Sequence, residues 1–174
     1  MHQSRSRPEA SDPRGFFTLL KHILSGKVLI AGIGSPLRMD DQAGLVFCDK
    51  LVKRGIECIK CEYGLENCIS EILHAGTEKL VIVDAVIYRG AKPGEIVIAS
   101  EDSLAEKYSL ATTHTIPFGI LSRMLHDAGI KEVYVVGVVP LNLDYGVEIS
   151  SEVAESVEKL VNAFSMILLE RGKQ

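Results

Sequence analysis

Short apolar runs alternate with amphipathic stretches along most of the chain, and these two patterns predict strands and helices in turn. Residues 28–33, 80–85 and 133–139 are rich in Val and Ile and have the length of buried strands. The same reading predicts further strands over 56–61 and 95–99, and helices over 41–54, 66–74, 116–128 and 151–169. Before the first strand, a short amphipathic helix is predicted by apolar residues at helical spacing: Phe16, Leu19, Leu20, Ile23 and Leu24.

This order of elements favours an α/β fold. Buried β-branched strands separated by helices form a largely parallel sheet that helices cover on both faces. Eight strand–helix units do not fit into 174 residues, so we expect an open α/β sandwich rather than a barrel. Residues 1–14 are polar and lack periodicity, which predicts a disordered tail. Residues 15–174 are expected to form a single domain that begins with the amphipathic helix.

Composition and charge exclude several classes of protein. Apolar side chains make up 47% of the chain, which is enough for one sizeable core. Nineteen Lys and Arg against 23 Asp and Glu give a net charge of −4, which argues against a nucleic-acid partner. No apolar run approaches the roughly 20 residues that cross a bilayer, and no secretory cleavage site follows the N-terminal segment. We therefore expect a cytoplasmic protein without a membrane span.

Four cysteines, Cys48, Cys58, Cys61 and Cys68, include a pair with the C-x-x-C spacing of redox and zinc sites. Side chains alternate between the two faces of a strand, so Cys58 and Cys61 are predicted to point to opposite sides of the second strand. We therefore expect reduced, structural thiols rather than a metal site.

Candidate chemistry lies just after the predicted strands, because ligands of open parallel sheets bind beyond the carboxyl ends of the strands. The chain contains no dinucleotide fingerprint, no P-loop and no G-x-S-x-G elbow. Asp40 and Asp41 follow the first strand, and taken alone they are best explained as a helix cap and a complement to the helix dipole. Asp84 ends a buried apolar run, where a carboxylate needs a partner or a function. His114 lies in a Thr-rich loop.

These residues allow two kinds of chemistry. One carboxylate of the pair Asp40 and Asp41, together with Asp84 and His114, gives two carboxylates and one imidazole, a set that suits zinc, nickel or iron with coordination positions left open. Alternatively, two neighbouring carboxylates share a proton and activate water. Glu62 and Asp144 are interpreted as solvated charges at the rim of the cleft.

The motifs of this chain resemble those of the hydrogenase maturation proteases. The stretch IAGIGSPLRMDDQAG is similar to the family signature G-[IV]-G-N-x-L-x-x-D-[DE]-x-x-G, and VIVDAVIYRGAKPGEI, LATTHTIP and YVVGVVPLNLDYGVEIS follow in the family's order. The matches span residues 28 to about 165. The resemblance implies a three-layer α/β/α sandwich with a twisted, mostly parallel sheet. It also implies that Asp41, Asp84 and His114 contact a metal.

The resemblance further implies a hydrolase, an endopeptidase that removes the C-terminal extension of a nickel-iron hydrogenase large-subunit precursor after nickel insertion. Asp41 and Asp84 are then the catalytic residues of an aspartic-type or a metal-dependent peptidase, and the nickel is presented by the substrate. One alternative is a non-catalytic nickel-binding chaperone or assembly factor that uses the same three residues. A second alternative is a small-molecule α/β enzyme with Asp84 as a base, which requires a closed pocket.

Overall fold

The structure, a computed structural model, describes residues 13–107, 109–110 and 117–172. Its strands are β1 (Val28–Gly34), β2 (Ile59–Glu62), β3 (Lys79–Ile87), β4 (Ile96–Ser100), β5 (Ser109–Leu110) and β6 (Glu132–Val138). Its α-helices are α1 (Pro13–Ile23), α2 (Ala43–Val52), α3 (Ile69–His74), α4 (Glu101–Lys107), α5 (Phe118–Asp127) and α6 (Ser151–Arg171). Two 3₁₀-helices, Met39–Gln42 and Leu65–Cys68, directly precede α2 and α3.

The main sheet has the strand order β2-β1-β3-β6-β4. Pairing is parallel between β2 and β1, β1 and β3, and β3 and β6, whereas β4 runs antiparallel to β6 at the edge. The two-residue strand β5 pairs antiparallel with the far end of β3. The expectation of an α/β fold with a mostly parallel sheet is confirmed.

Helices cover both faces of this sheet and create two apolar cores. Along β3 the side chains alternate, so Val81 and Val83 enter one core while Leu80 and Ile82 enter the other. The first core is closed by α1, α2 and α6, where Phe47 and Phe164 meet edge to face with their ring centroids 4.9 Å apart. The second core is closed by α3, α4 and α5. This arrangement is the three-layer sandwich that the resemblance implies.

Several elements differ from the sequence prediction. The helix predicted from residue 41 is a 3₁₀-turn over Met39–Gln42 followed by α2, so the acidic pair lies in the turn. Strand β3 continues to Ile87 because β5 pairs with its last two residues, which places Asp84 inside the strand. The short elements α4 and β5 were not predicted. Helix α1 begins at Pro13, and the division into a tail and one domain stays a prediction.

The expectation of reduced cysteines is wrong, because the structure pairs Cys48 with Cys58 and Cys61 with Cys68. Cys58 packs toward the first core and Cys61 lies in the second, as strand alternation predicted. On each side a nearby helix supplies the partner, with Cα atoms 5.3 Å and 5.5 Å apart. The alternation that separates the C-x-x-C pair therefore lets each cysteine form its own disulfide.

Within the part of the chain that the structure describes, no helix is both long and apolar enough to cross a membrane.

Candidate functional site

The crevice between the carboxyl ends of β1 and β3 is the topological switch point of the sheet. From β1 the chain passes through α2 to β2 on one side, and from β2 it returns through α3 to β3 on the other side of β1. Ligands of open parallel sheets bind at such a reversal. The 3₁₀-helix Met39–Gln42 contacts both β1 and β3 there.

Close packing at two glycines brings the 3₁₀-helix Met39–Gln42 into this crevice. We call this helix, which carries Asp40 and Asp41, the acidic turn. A Cβ atom on Gly44 would lie 2.2 Å from the carbonyl oxygen of Val83 and 2.3 Å from that of Ile33. A Cβ atom on Gly32 would lie 2.0 Å from the carbonyl oxygen of Gly44. Only hydrogen atoms fit at these positions, so the start of α2 lies directly against the strands, next to Asp84. Asp41 and Asp84 are thereby brought to the same edge of the sheet.

Asp40 is buried and fully engaged in holding the loop between β6 and α6. Its Oδ2 accepts hydrogen bonds from the backbone amides of Leu141 and Asn142, at 2.8 Å and 2.9 Å. Ser150 donates its amide to Oδ1 at 2.7 Å and its hydroxyl to Oδ2 at 2.9 Å. Ser150 is the N-cap of α6, so Asp40 anchors the residue that precedes a helix more than a hundred positions along the chain, and it does not cap its own 3₁₀-helix. This role was missed, because backbone donors leave no signal in the sequence.

Asp41, the next residue, is equally buried but lacks such partners. Neither of its carboxylate oxygens accepts a hydrogen bond from any described residue. Burial raises the pKa of Asp41. The Arg38 guanidinium, 3.9 Å from Oδ2, lowers it, as does the Ser35 amide, which is near the carboxylate but does not make a hydrogen bond of normal geometry to it. A buried carboxylate with unsatisfied oxygens destabilises the fold unless a ligand or a function compensates.

Asp84 is fully buried in β3, in register with Gly137 of β6. Its Oδ1 accepts the amide of Ala85 at 2.8 Å. By alternation its side chain lies on the face of Ile82, toward the layer of α3, α4 and α5. Val86, two residues further along the same face, pairs with Leu110 at the end of β5.

His114, the predicted third member of the set, lies outside the described residues, so its role stays a prediction. Among the described residues, no three side chains of the His, Cys, Asp and Glu types are grouped closely enough to hold a metal ion. Glu62 and Asp144 are exposed, in keeping with rim charges. Of the predicted residues, the structure places Asp41 in a turn that contacts β1 and β3, and Asp84 within β3. That the two carboxylates share one site stays a prediction.

Two strained residues border the crevice. In the described ranges, Met39 and Tyr63 are the non-glycine residues with positive φ, at 37° and 65°. Met39 directly precedes the acidic pair, and the amide of Tyr63 donates to the carbonyl oxygen of Gly34 at the end of β1, at 2.8 Å. Such backbone strain is concentrated at functional sites, where the surrounding structure compensates for it.

A groove of about 630 Å³ lies away from this crevice, near the amino ends of β1 and β2. It is lined by residues that lead into β2, including Ile56 and Glu57, and by His74 at the end of α3. None of its lining residues belongs to the candidate set, so the groove does not provide the closed pocket that the small-molecule alternative requires at Asp84.

Comparisons with known sequences identify the family. The family model for the hydrogenase maturation proteases matches residues 64–167. A protein of Methanocaldococcus jannaschii assigned to these proteases is 31% identical over 160 residues, covering 83% of this chain and 89% of the relative. The hydrogenase 3 maturation protease of Escherichia coli is 30% identical over 129 residues, covering 72% of this chain and 81% of the relative.

Solved structures agree with these sequence matches. The maturation protease HycI of Thermococcus kodakarensis superposes with a TM-score of 0.73 over 86% of this chain and 98% of its own, and at 24% identity it supports the fold. The maturation protease HybD of the same organism gives a TM-score of 0.68 at 29% identity, over 79% of this chain and 95% of its own. With a family model that covers more than half of it and relatives that align over most of its length, this chain belongs to the hydrogenase maturation protease family and is a peptidase.

Proposed function

We propose that this protein is the endopeptidase that removes the C-terminal extension of a nickel-iron hydrogenase large-subunit precursor once nickel is inserted. In this proposal Asp41, Asp84 and His114 contact the nickel that the substrate presents, and Asp41 and Asp84 take part in cleavage. The observation that carries the proposal is the fully buried carboxylate of Asp41 at the switch point of the sheet, which accepts no hydrogen bond from the described residues.

The chemistry of the residues fits a metal that arrives with the substrate. Carboxylate oxygens and an imidazole nitrogen are suitable donors for nickel, and three protein donors leave positions for the substrate's own ligands. A cation beside Asp41 offsets the free-energy penalty of burying its charge. Preorganisation supports the proposal, because Asp40 holds the turn that carries Asp41 and the glycine contacts fix the depth of that turn.

Arg38 and Asp84 are both held in fixed positions near Asp41, and two cleavage mechanisms are compatible with the two carboxylates. Arg38 lies 3.9 Å from Asp41 and donates its Nε to the carbonyl oxygen of Leu143 at 3.2 Å, which fixes the guanidinium at the mouth of the crevice. Asp84 is held on a central strand, with one oxygen occupied by the Ala85 amide. In an aspartic-type mechanism Asp41 and Asp84 activate water and pass its proton to the leaving amine. In a metal-dependent mechanism they orient the nickel that polarises the scissile carbonyl.

The proposal is tested by incubating nickel-loaded precursor with the purified protein and measuring the mass of the precursor's C-terminus. The wild type is expected to release one C-terminal peptide, and Asp84→Asn to release none at the same enzyme concentration. Asp127→Asn is the matched control, because this exposed aspartate lies at the end of α5 and away from the switch point.

Each outcome of this experiment separates two functions. If the wild type and Asp127→Asn release the C-terminal peptide and Asp84→Asn does not, the peptidase is supported. An intact precursor that binds the wild type stoichiometrically, with binding lost in Asp84→Asn, identifies instead the non-catalytic assembly factor.

A further inference from the structure

Four large apolar side chains are exposed beside the acidic turn. The exposed fractions are 55% for Leu37, 54% for Leu141, 90% for Tyr145 and 69% for Val147. Leu37 precedes the 3₁₀-helix that carries Asp41, and the other three lie in the loop between β6 and α6. We call these four residues the apolar rim.

Backbone hydrogen bonds join the two segments that carry the apolar rim. The amide of Gly146 donates to the carbonyl oxygen of Leu37 and the amide of Met39 donates to the carbonyl oxygen of Gly146, both at 2.9 Å. Arg38 is therefore the parallel bridge partner of Gly146, and Leu37, the residue before Arg38, is level with Tyr145, the residue before Gly146. Leu37 and Tyr145 are thus exposed side by side, with Val147 two residues further along the same segment.

The loop that carries the apolar rim is braced from below. Asp40 binds it at Leu141, Asn142 and Ser150. Gln42 Nε2 donates to the carbonyl oxygen of Val147 at 2.9 Å. Clustered exposed apolar side chains mark contact sites more often than single exposed ones do. Because the loop is already ordered by these hydrogen bonds, it loses little conformational entropy when a partner binds.

Acidic side chains interrupt and flank this surface. Asp144 and Glu148 are exposed within the same loop, and neither makes an ion pair with any of the described residues. The charge of the chain as a whole is also negative, at −4. A partner that complements this loop has apolar side chains with basic residues next to them.

We propose that the apolar rim, together with Asp144 and Glu148, is the docking surface for an apolar, basic-flanked segment of the substrate polypeptide. The inference rests on the proposed function and adds the part of the molecule that selects the substrate. Its support is continuity, since the stretch from Leu37 to Gln42 carries both the edge of the rim and the buried carboxylate of Asp41. A peptide segment seated on the rim is held at the mouth of the crevice.

The test is the steady-state cleavage of nickel-loaded precursor by the double variant Tyr145→Ser/Val147→Ser. We expect KM to rise by about tenfold while kcat stays within about twofold of the wild type, because the rim binds substrate without touching the reacting bond. Met166→Ser/Leu169→Ser is the matched control, since these α6 residues are both 48% exposed and of the same chemical type. Equal KM values for the rim variant and the control overturn the proposal.

The charged part of the surface has its own variant. Asp144→Lys/Glu148→Lys is expected to raise KM at low ionic strength, with the difference from the wild type shrinking as salt is added. An unchanged KM at low salt contradicts the basic-flanked partner.

A binding measurement separates this inference from the proposed function. The precursor is titrated against the cleavage-deficient Asp84→Asn protein, with and without the rim substitutions, and we expect the rim substitutions to weaken binding by about tenfold. Rim-dependent binding without cleavage by the wild type refutes the peptidase and keeps the docking surface. Cleavage by the wild type with a KM that the rim substitutions leave unchanged refutes the docking surface and keeps the peptidase. Self-association of the wild type in light scattering that the rim substitutions abolish, with KM unchanged, identifies a contact between copies of this chain and overturns the proposal.

Discussion

The two sides of the turn over Met39–Gln42 place adjacent carboxylates in opposite situations. On one side, Asp40 accepts four hydrogen bonds from the loop before α6. On the other side, Asp41 is as deeply buried beside β1 and β3, yet neither oxygen accepts a hydrogen bond from the described residues. The carboxylate of Asp40 stabilises the fold, whereas burial of the Asp41 carboxylate lowers the free energy of unfolding.

This contrast shows how the fold keeps an unsatisfied carboxylate buried. The hydrogen bonds of Asp40 fix the turn to α6, and the contacts at Gly44 fix it to β1 and β3. The backbone that carries Asp41 is therefore held at a buried position, although solvation would be more favourable for the charge of this carboxylate. Burial of this kind is typical of sites in which a group is preorganised for a ligand.

The largest expected effect is the loss of activity in Asp41→Asn. This near-isosteric change removes the charge, and we expect kcat/KM on nickel-loaded precursor to fall by about 10³-fold. The free energy of unfolding should stay equal or increase, because a neutral amide is less costly to bury than an unsatisfied carboxylate. Cleavage rates and urea unfolding are measured on the same preparation. A strongly destabilised Asp41→Asn protein would show that this carboxylate is structural, like its neighbour.

Asp40→Asn is expected to show the opposite pattern. An amide cannot accept all of the hydrogen bonds that the carboxylate accepts, so buried amides of the loop before α6 lose their partner. We expect the free energy of unfolding to fall by about 3 kcal/mol, measured by urea denaturation. Any loss of activity should be recovered when the temperature is lowered and the variant is folded. A variant as stable as the wild type contradicts the bracing role of Asp40.

The difference between the two carboxylates could not be predicted from the sequence. The strands β1, β3 and β6 were predicted closely because buried β-branched runs mark them, and the family motifs singled out Asp41 and Asp84. The partners of Asp40 are backbone amides more than a hundred residues away, which no local pattern encodes. Likewise β5 has two residues, too few for a periodic signal, and the disulfide partners of Cys58 and Cys61 depend on how helices pack against β2.

The packing of the turn is tested by Gly44→Ala. The added methyl group would meet backbone oxygen atoms of β1 and β3 that cannot move independently, so we expect a loss of about 2 kcal/mol in the free energy of unfolding. Gly119→Ala is the control, because a Cβ atom there has no heavy atom within 4 Å and alanine favours the helix. Equal stability of the two variants in thermal unfolding would show that close approach at Gly44 does not position the acidic turn.

The smallest expected effect belongs to a charged pair away from the site. His126 Nε2 lies 2.7 Å from Glu101 Oε2 and Nδ1 lies 2.8 Å from the carbonyl oxygen of Ile130, so both ring nitrogens face acceptors. The hydrogen bond to Glu101 raises the pKa of His126 above its ordinary value of 6.5. The stabilisation is therefore fully present below pH 6.5 and is lost as the pH rises through the raised pKa.

Because the His126–Glu101 pair is exposed, we expect it to contribute about 0.5 kcal/mol. His126→Gln should be less stable than the wild type below pH 6.5 and equally stable well above it, as measured by urea unfolding at each pH. Lys131→Gln, which breaks an exposed pair with Glu78, is the control whose effect should not vary over this range. A constant difference for His126→Gln would contradict the titration of this pair.

The most direct test of this role of Asp41 compares the rates at which the wild-type protein processes the C-terminus of nickel-loaded and of nickel-free precursor. Both reactions are followed by intact mass. If the buried carboxylate of Asp41, which accepts no hydrogen bond from the described residues, meets a metal on the substrate, the loaded precursor loses its extension and the nickel-free precursor keeps it. Equal processing of both forms would contradict this account and assign Asp41 and Asp84 to a metal-independent aspartic mechanism.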